Sequence, residues 1–585
     1  MSGFETPPSS APPPAVLRVG NCSGFYGDRL SAMRELLAGG DLDVVTGDYL
    51  AELTMLILGK DLLKDPSLGY ARTFVEQVGD CLELALEKGV KIVSNAGGLN
   101  PSGLVDRLTE VADSLGLSPR IAWVDGDNLT PRAAEQGLAG ALTANVYLGA
   151  FGIARALAAG ADIVVTGRVT DASLVVGPAS WRFGWTPGQY DELAGAVVAG
   201  HVIECGTQAT GGNFSGFLDL SRDARPLGFP IAEISADGSC VVTKHPGAGG
   251  VVSVDTVTAQ LMYEVQSEHY LGPDVTVDLT TIELTQDGED RVRLSGTRGQ
   301  APPAQLKVCV NELGGFRNQM EFVLTGLDIE AKAAWLRTQL DGRIDAASVS
   351  WSLGRLPAPD SETEEGASCL LRCVVKDDNA AVAGRDFTSA AVELALGSYP
   401  GFTMTGPPGP ASPYGVYRPA YVDRSAVTHT VHLPDGSTEV VLDPPVASQP
   451  VVSTGTDATV APGVAGVPDD AITRRIPLGT FVHARSGDKG GDANVGLWVR
   501  AGEHQVERAQ WLNHFISEDR VRELVPEAAD LEVEVFALPN LFGVNVLIHG
   551  LLGEGVAASA RFDPQAKGLG EWLRSRLVSI PEELL

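Results

Sequence analysis

The stretch Ala161-Asp162-Ile163-Val164-Val165-Thr166-Gly167-Arg168-Val169-Thr170-Asp171 decides the fold. Its first half is short, apolar and β-branched, as a strand covered on both faces requires, and Gly167 with the polar turn behind it ends that strand. Four earlier segments have the same form. Leu17 to Gly20 runs into the turn Asn21 to Gly24 and a helix from Asp28 to Ala38, and Leu42 to Thr46 runs into Asp48 and Glu52. Lys91 to Ser94 precedes Asn95-Ala96-Gly97-Gly98 and a helix from Pro101, and Arg120 to Val124 precedes Asp125-Gly126-Asp127. Strand, Gly-rich or acidic turn, helix, repeated five times, predicts an α/β fold with a mostly parallel sheet. Ligands of such sheets bind beyond the carboxyl ends of the strands, where these turns collect their polar residues.

Further along, a helix from Tyr190 to about Ile203 carries His201 and leads into Glu204-Cys205 and the Gly-rich loop to Phe214. Strands predominate from Ile231 to about Val375, interrupted by a helix over Ile329 to Leu340. The divisions expected are a disordered tail (1–14), a parallel α/β domain (15–225), an α+β region (226–445), a Pro/Ser/Thr/Gly-rich linker (446–472) and a C-terminal α+β domain (473–585). The last has the strand and helix pattern of a ferredoxin-like or swivelling domain.

Composition excludes several classes. The 585 residues are 44% hydrophobic and 20% charged, which is neither a disordered chain nor a small disulfide scaffold. A formal net charge of −31 repels nucleic acid, although local arginines and helix N-termini can still hold an anion. Seven scattered cysteines fit reduced thiols and a cytoplasmic protein, and no apolar run approaches the ~20 residues of a membrane span. The motifs G-x-x-x-x-G-K-[ST], H-E-x-x-H, C-x-x-C and G-x-S-x-G are absent, as is G-x-G-x-x-G after the first strand. No ligand spacing supports a particular metal ion, and no cofactor is expected.

The candidate site residues follow from the turns. Asn21, Cys22, Ser23 and Asp28 form either an anion-binding nest or a turn capped by Asp28. Asp48 and Glu52, four apart, share a face of any helix starting there, as an acid/base pair or as solvated charge. Asn95, with Gly97 and Gly98, either donates to an oxyanion or makes a turn. Arg168, three residues before Asp171, offers a clamp for an anion beside a base, with a plain ion pair as the alternative. Glu204 opens a loop in which Thr210, Gly211 and Asn213 can cradle a polar group, while His201 reads as a packed histidine. His245, followed by glycines, is a further candidate. So is the dense run His483 to Asn494, with Arg485, Ser486, Asp488, Lys489 and Asn494, read as a site loop following a strand.

Taken in order, Asn21-Cys22-Ser23-Gly24 with Asp28, Thr46 to Glu52, Ser94 to Asn100, Thr166 to Ala172 and Arg485 to Asn494 resemble the acyclic terpene utilisation (AtuA-like) family, from about Leu17 to Leu573. The resemblance implies an AtuA-like core over the first domain and the α+β region, followed by a ferredoxin-fold domain. It also implies an acyl-CoA-processing enzyme of branched or terpenoid acid metabolism, a lyase (carbon–carbon or hydro-lyase) or hydratase/dehydratase acting on a 3-hydroxyacyl-CoA or enoyl-CoA. In that reading Asp48, Asp171 or Glu204 moves the proton, Arg168 and the first turn bind the anionic part of the substrate, and the small domain closes with Arg485 and Lys489. Self-association into a homo-oligomer is expected, without nucleic-acid or membrane partners. Arg168→Ala is expected to abolish turnover at a nearly unchanged melting temperature. Two alternatives stand beside this: a metal-dependent hydrolase or aldolase using Asp48, Asp125 and His245, and a non-catalytic accessory subunit of an acyl-CoA enzyme.

Overall fold

A computed structural model describes residues 16–221, 225–447 and 472–585. The tail and most of the expected linker, residues 448–471, lie outside the described residues. Six strands come first: β1 (Val16–Asn21), β2 (Val44–Gly47), β3 (Lys91–Ser94), β4 (Ile121–Asp125), β5 (Thr143–Val146) and β6 (Ile163–Thr166). All but β5 lie side by side and parallel in the order β1-β2-β3-β6-β4, and these are the five segments read from the sequence. β5, which has no Gly-rich turn to mark it, leaves this sheet and pairs with Val308–Asn311.

Among the described residues the sheet has eleven strands. Beyond β1 it continues through β7 (Pro230–Ser235) and β8 (Cys240–Lys244) to Val292–Ser295 and Glu283–Gln286, all antiparallel. Beyond β4 it continues through Thr430–His432 and Thr438–Val440, also antiparallel. The α/β class holds, with parallel character confined to the five central strands. Strands joined by tight turns add to an edge without the crossover helix that a parallel neighbour needs.

Helices cover both faces. α1 (Ala32–Gly39), α2 (Glu52–Lys64), α3 (Arg72–Lys88) and α4 (Pro101–Ser114) come in the first half, then α5 (Phe151–Ala158), α6 (Ser173–Phe183) and α7 (Tyr190–Ile203). Met33, Phe74, Val78 and Leu104 from α1, α3 and α4 pack on Val45, Ile92, Ile163 and Val165. The alternate residues Val44, Val93 and Val164 face the other way, onto Ile153, Val175 and Val198 of α5, α6 and α7. The alternation follows from the two-residue period of a strand. β1→β2→β3 advance in one direction, whereas β4→β6 steps back, so right-handed crossovers place the two helix sets on opposite faces.

The chain divides into two compact units. The first comprises the described chain up to Asn311, Tyr417–Val556 and Gln565–Leu585, and the second comprises Glu312–Val416 and Ala557–Pro564. In the second, Ser348–Leu353, Ser368–Asp377 and Phe316–Thr325 pair antiparallel, and Phe322, Leu371, Leu336 and Phe387 make its core.

The C-terminal part of the first unit is a four-stranded antiparallel sheet in the order Val482–Lys489, Asp492–Val499, Gly543–Ile548, Val533–Leu538. The helices Gln505–Phe515, Glu518–Leu524 and Leu569–Ser575 bury Leu512, Val521 and Leu573 in its core. The run His483 to Asn494 is therefore not a loop after a strand but the two arms of a hairpin, with Lys489 opposite Asp492 and Gly490 at φ 68° in the turn. Gly490-Gly491 supplies the left-handed turn that the strands' twist favours. No helix among the described residues is long and apolar enough to cross a membrane, and all seven cysteines are unpaired.

Candidate functional site

Strand register puts Asn21 beside Thr46, Gly47 beside Ser94, and Ser94 beside Val165, so the turns after β1, β2, β3 and β6 open on one edge. Asp48 leaves β2 there and is 5% exposed. Asn95 donates to its Oδ1 at 2.6 Å and accepts from Tyr49 N–H at 2.8 Å. Asn95 is thus a holder of Asp48 rather than an oxyanion donor facing open space. α2 begins only at Glu52, so the expected common helix face for Asp48 and Glu52 does not form. Glu52 instead accepts from the Tyr147 hydroxyl at 3.2 Å.

Asp48, Asp171 and Glu204 converge, each presenting a carboxylate oxygen within 4.8 Å of the others. Glu204 ends α7, where Asn21 Nδ2 donates to the carbonyls of Ile203 and Glu204 at 2.8 Å and fixes the chain. His201, one turn earlier, sets Nδ1 3.2 Å from Glu204 Oε1. Arg168 lies beside Asp171: its Nη1 donates to Asp171 Oδ1 at 3.1 Å and to the Leu50 carbonyl at 2.7 Å, and the guanidinium lies 4.4 Å from the Tyr147 ring centre. Its own N–H donates to Asp127 Oδ2 at 2.9 Å. At Gly167 a Cβ would come within 2.3 Å of Asp127 Oδ1, so a glycine is required for that hold.

The hairpin of the C-terminal sheet supplies the second cation. Lys489 Nζ donates to Glu264 Oε2 at 3.2 Å. Glu264 follows the helix Val254–Leu261, and its N–H is held by Asn494 Oδ1 at 2.8 Å, while Asn545 Nδ2 donates to Val265 O at 2.9 Å. The hairpin approaches so closely that a Cβ at Gly487 would lie 2.3 Å from the Tyr263 ring. Between these parts is a cavity of about 620 Å³ lined by Asp171, Glu264, Lys489, Lys307, Tyr147 and Tyr270, together with apolar residues such as Leu271 and Leu306.

Electrostatics divide the acids. Burial, then the neighbouring Asp171 charge, pushes Asp48 and Glu204 well above the usual carboxylate range. Burial also raises Asp171, against the pull of Arg168 and Lys489. For Glu264, burial is outweighed by Lys489 and Lys567, which hold it at about 2, and for Glu52 by Lys489, Lys307 and Arg168. Lys489 stays charged despite burial because Glu264, Tyr270, Glu52 and Asp171 surround it.

Asp488 is raised to about 7 by burial and by Glu264, with Lys567 at 3.7 Å opposing. A carboxyl whose folded pKa exceeds its unfolded one stabilises the fold below about pH 4, and that contribution is lost as pH rises towards 7. Relative to wild type, Asp488→Asn is therefore expected to gain stability by about 1–4 kcal/mol between pH 4 and pH 8. Urea melts of both proteins at the two pH values test this, and an equal difference at both would exclude it.

The remaining candidates fall elsewhere. In the first turn, Gly24 N–H and Arg29 N–H donate to Asp28 at 3.0 and 2.7 Å, so the protein's own carboxylate fills the proposed anion nest. Ser23 Oγ donates to Phe25 O, and the buried Cys22 thiol is pushed up to about 12. Gly97 and Gly98 serve packing, since Cβ atoms there would lie 2.5 Å from Thr166 O and from Leu58. Thr210 Oγ1 is shared between the Thr207 and Gly228 carbonyls, Gly211 takes φ 113°, and Asn213 is exposed, so the Thr210 hydroxyl serves the chain's own backbone. His245 donates from Nε2 to Leu36 O at 2.9 Å, while Asp125 faces His432 at 3.3 Å. Asp48, Asp125 and His245 are thus not a metal trio. Ser486 is tied to Ala566 O and Gly570 N, and Arg485, 4% exposed, stacks 4.3 Å over Tyr263 and bonds Gln208.

Sequence reading missed Glu264, Lys307, Tyr147 and Tyr270. Tyr147 follows the unrecognised β5, Lys307 sits within a strand, and Glu264 carries φ 59° just after its helix. A lysine among the apolar residues Leu306, Val308, Cys309 and Val310 was the one signal available.

No curated protein matches the chain. The model of the acyclic terpene utilisation family protein AtuA matches residues 17–433, and that of the AtuA ferredoxin-like domain matches residues 476–579. The clustered acids of the first match and the lysine contributed by the second meet in one site, and the chain belongs to the acyclic terpene utilisation AtuA family, with an AtuA ferredoxin-like domain at its C-terminal end.

Proposed function

We propose that the chain is an acyl-CoA-processing enzyme of branched or terpenoid acid metabolism, a lyase or hydratase/dehydratase that moves a proton next to a thioester carbonyl. The observation that carries this reading is the set Asp48, Asp171 and Glu204 behind a cavity whose wall also bears Lys489. Burial raises Asp48 and Glu204 well above the usual carboxylate range, so they favour the protonated form, while Arg168 and Lys489 oppose the burial that raises Asp171. Asp171, alone of the three on the cavity wall, is the base. In dehydration it takes the α-proton and returns it to the departing β-hydroxyl, which leaves as water. In carbon–carbon cleavage it takes the β-hydroxyl proton instead, the Cα–Cβ bond breaks to leave a carbonyl product and the thioester enolate, and the same proton then goes to the enolate α-carbon. Both routes pass through an enolate whose oxygen Lys489 Nζ stabilises. The mostly apolar remainder of the cavity suits a branched acyl chain.

Thermal shift and native mass spectrometry against branched acyl-CoA thioesters and their free acids test the substrate class. Stabilisation by a thioester, and not by its acid, is expected; stabilisation by the acid alone would sink the reading. With the thioester found, Asp171→Asn is expected to lower kcat by about 10²–10⁴-fold. A kcat within threefold of wild type would remove Asp171 as the base.

A further inference from the structure

The charges around the cavity do not balance. Asp48, Asp171, Glu204, Glu52 and Glu264 face Arg168, Lys489, Lys307 and Arg485, while Asp488 and Lys567 pair with each other. Fully ionised, five carboxylates against four cations leave a negative charge in a site whose members are buried or half-buried, and Arg485 and Lys307 act on Glu264 and Glu52 rather than on the trio Asp48, Asp171 and Glu204. Uncompensated buried charge is costly, so the deficit has to be met by protons or by a cation.

Geometry favours a place for such an ion. The three oxygens of Asp48, Asp171 and Glu204 lie within 4.8 Å of one another. Opposite ligands of a calcium-sized ion, bound at about 2.3–2.6 Å, are about 4.6–5.2 Å apart, and magnesium needs only a slight closure. A second observation is independent of the clustering. Glu204 is 8% exposed, its Oε1 is held by His201, and its Oε2 is buried without any hydrogen-bond partner. A carboxylate beside two more acids, with one oxygen fixed and the other buried and unpartnered, has the form of a ligand held by an outer-shell histidine.

We propose that Asp48, Asp171 and Glu204 form a binding site for one hard divalent cation, Mg²⁺, Mn²⁺ or Ca²⁺, bound through carboxylate oxygens, with His201 positioning Glu204. The ion and protons are alternative occupants of the same acids. Binding therefore strengthens as pH rises and releases protons. The site needs no thioester and stands or falls apart from the proposed reaction.

The test uses the full chain after chelator treatment and dialysis, titrated with each ion alone. Expected are one Mn²⁺ per chain by paramagnetic resonance and a melting temperature raised by about 2–5 °C near saturation. Binding should weaken at least tenfold in Glu204→Gln and in Asp171→Asn, and should be unchanged in the exposed control Asp519→Asn. The wild-type stoichiometry decides the matter even if a variant fails to fold. Absence of binding by all three ions up to about 5 mM, beyond the weakest calcium modules, would overturn the proposal. Binding that survives both acid-to-amide changes would also overturn it.

Discussion

Arg168→Ala is expected to cost about 3–5 kcal/mol of folding stability in addition to turnover, the penalty for stripping the partner from buried acids. From sequence alone the opposite is expected, namely lost turnover at an unchanged melting temperature. The difference lies in burial. Arg168 is 2% exposed, donates to Asp171 and Leu50, stacks on Tyr147, and lies within the field of Asp48 and Glu52. Removing the guanidinium leaves these acids to repel one another in a desolvated place. Protonation of the raised acids relieves part of the loss, so the deficit should shrink as pH falls. Arg168→Lys keeps the charge but loses the stack and one donor direction, and should fall between. Urea denaturation at pH 5 and pH 8 measures all three proteins. An alanine variant as stable as wild type at pH 8 would show that Arg168 is not a structural partner of the acids.

Lys489→Met is expected to lower turnover of the responsive thioester by about 10²–10³-fold, the usual loss when a donor to a developing oxyanion is removed. The side chain is nearly isosteric and lies near the hairpin turn, away from the apolar core of the C-terminal sheet. Stability should fall less than in Arg168→Ala, because Lys567 still faces Glu264. Glu264, no longer held at about 2, should titrate at higher pH, which a carboxyl-specific NMR label would read. If kcat and the Glu264 titration are both unchanged, Lys489 is neither the oxyanion donor nor the partner of Glu264.

Much of the acid site was legible from local pattern. Asp171 and Arg168 follow a strand that reads as buried on both faces, and Glu204 closes a helix with its boundaries visible as Tyr190 and Ile203. Parallel strands must bring their following turns to one edge, so the residue types in those turns indicate where chemistry gathers. The same logic fails where a polar residue answers a need of the backbone. Asn21, Asp28, Thr210 and Ser486 look like ligand groups in the sequence, yet each satisfies main-chain donors or acceptors that burial would otherwise leave unmade.

By itself the sequence determined the α/β class, the five central strands, the helices after the first and third of them, the helix Tyr190 to Ile203 and the carboxyl edge as the place of the acids, because hydrophobic period and turn chemistry are local properties. Tertiary structure alone decided which acids meet. Asp48, Asp171 and Glu204 are far apart in the chain, and their mutual distance is set by strand register and by Asn95, Asn21 and His201 acting across it. It also decided that Lys489, read as part of a loop, reaches Glu264 from the tip of a hairpin, and that an arginine which looks like a surface clamp is buried. Charge pairing over such separations depends on desolvation and distance, and neither is written in the local order of residues.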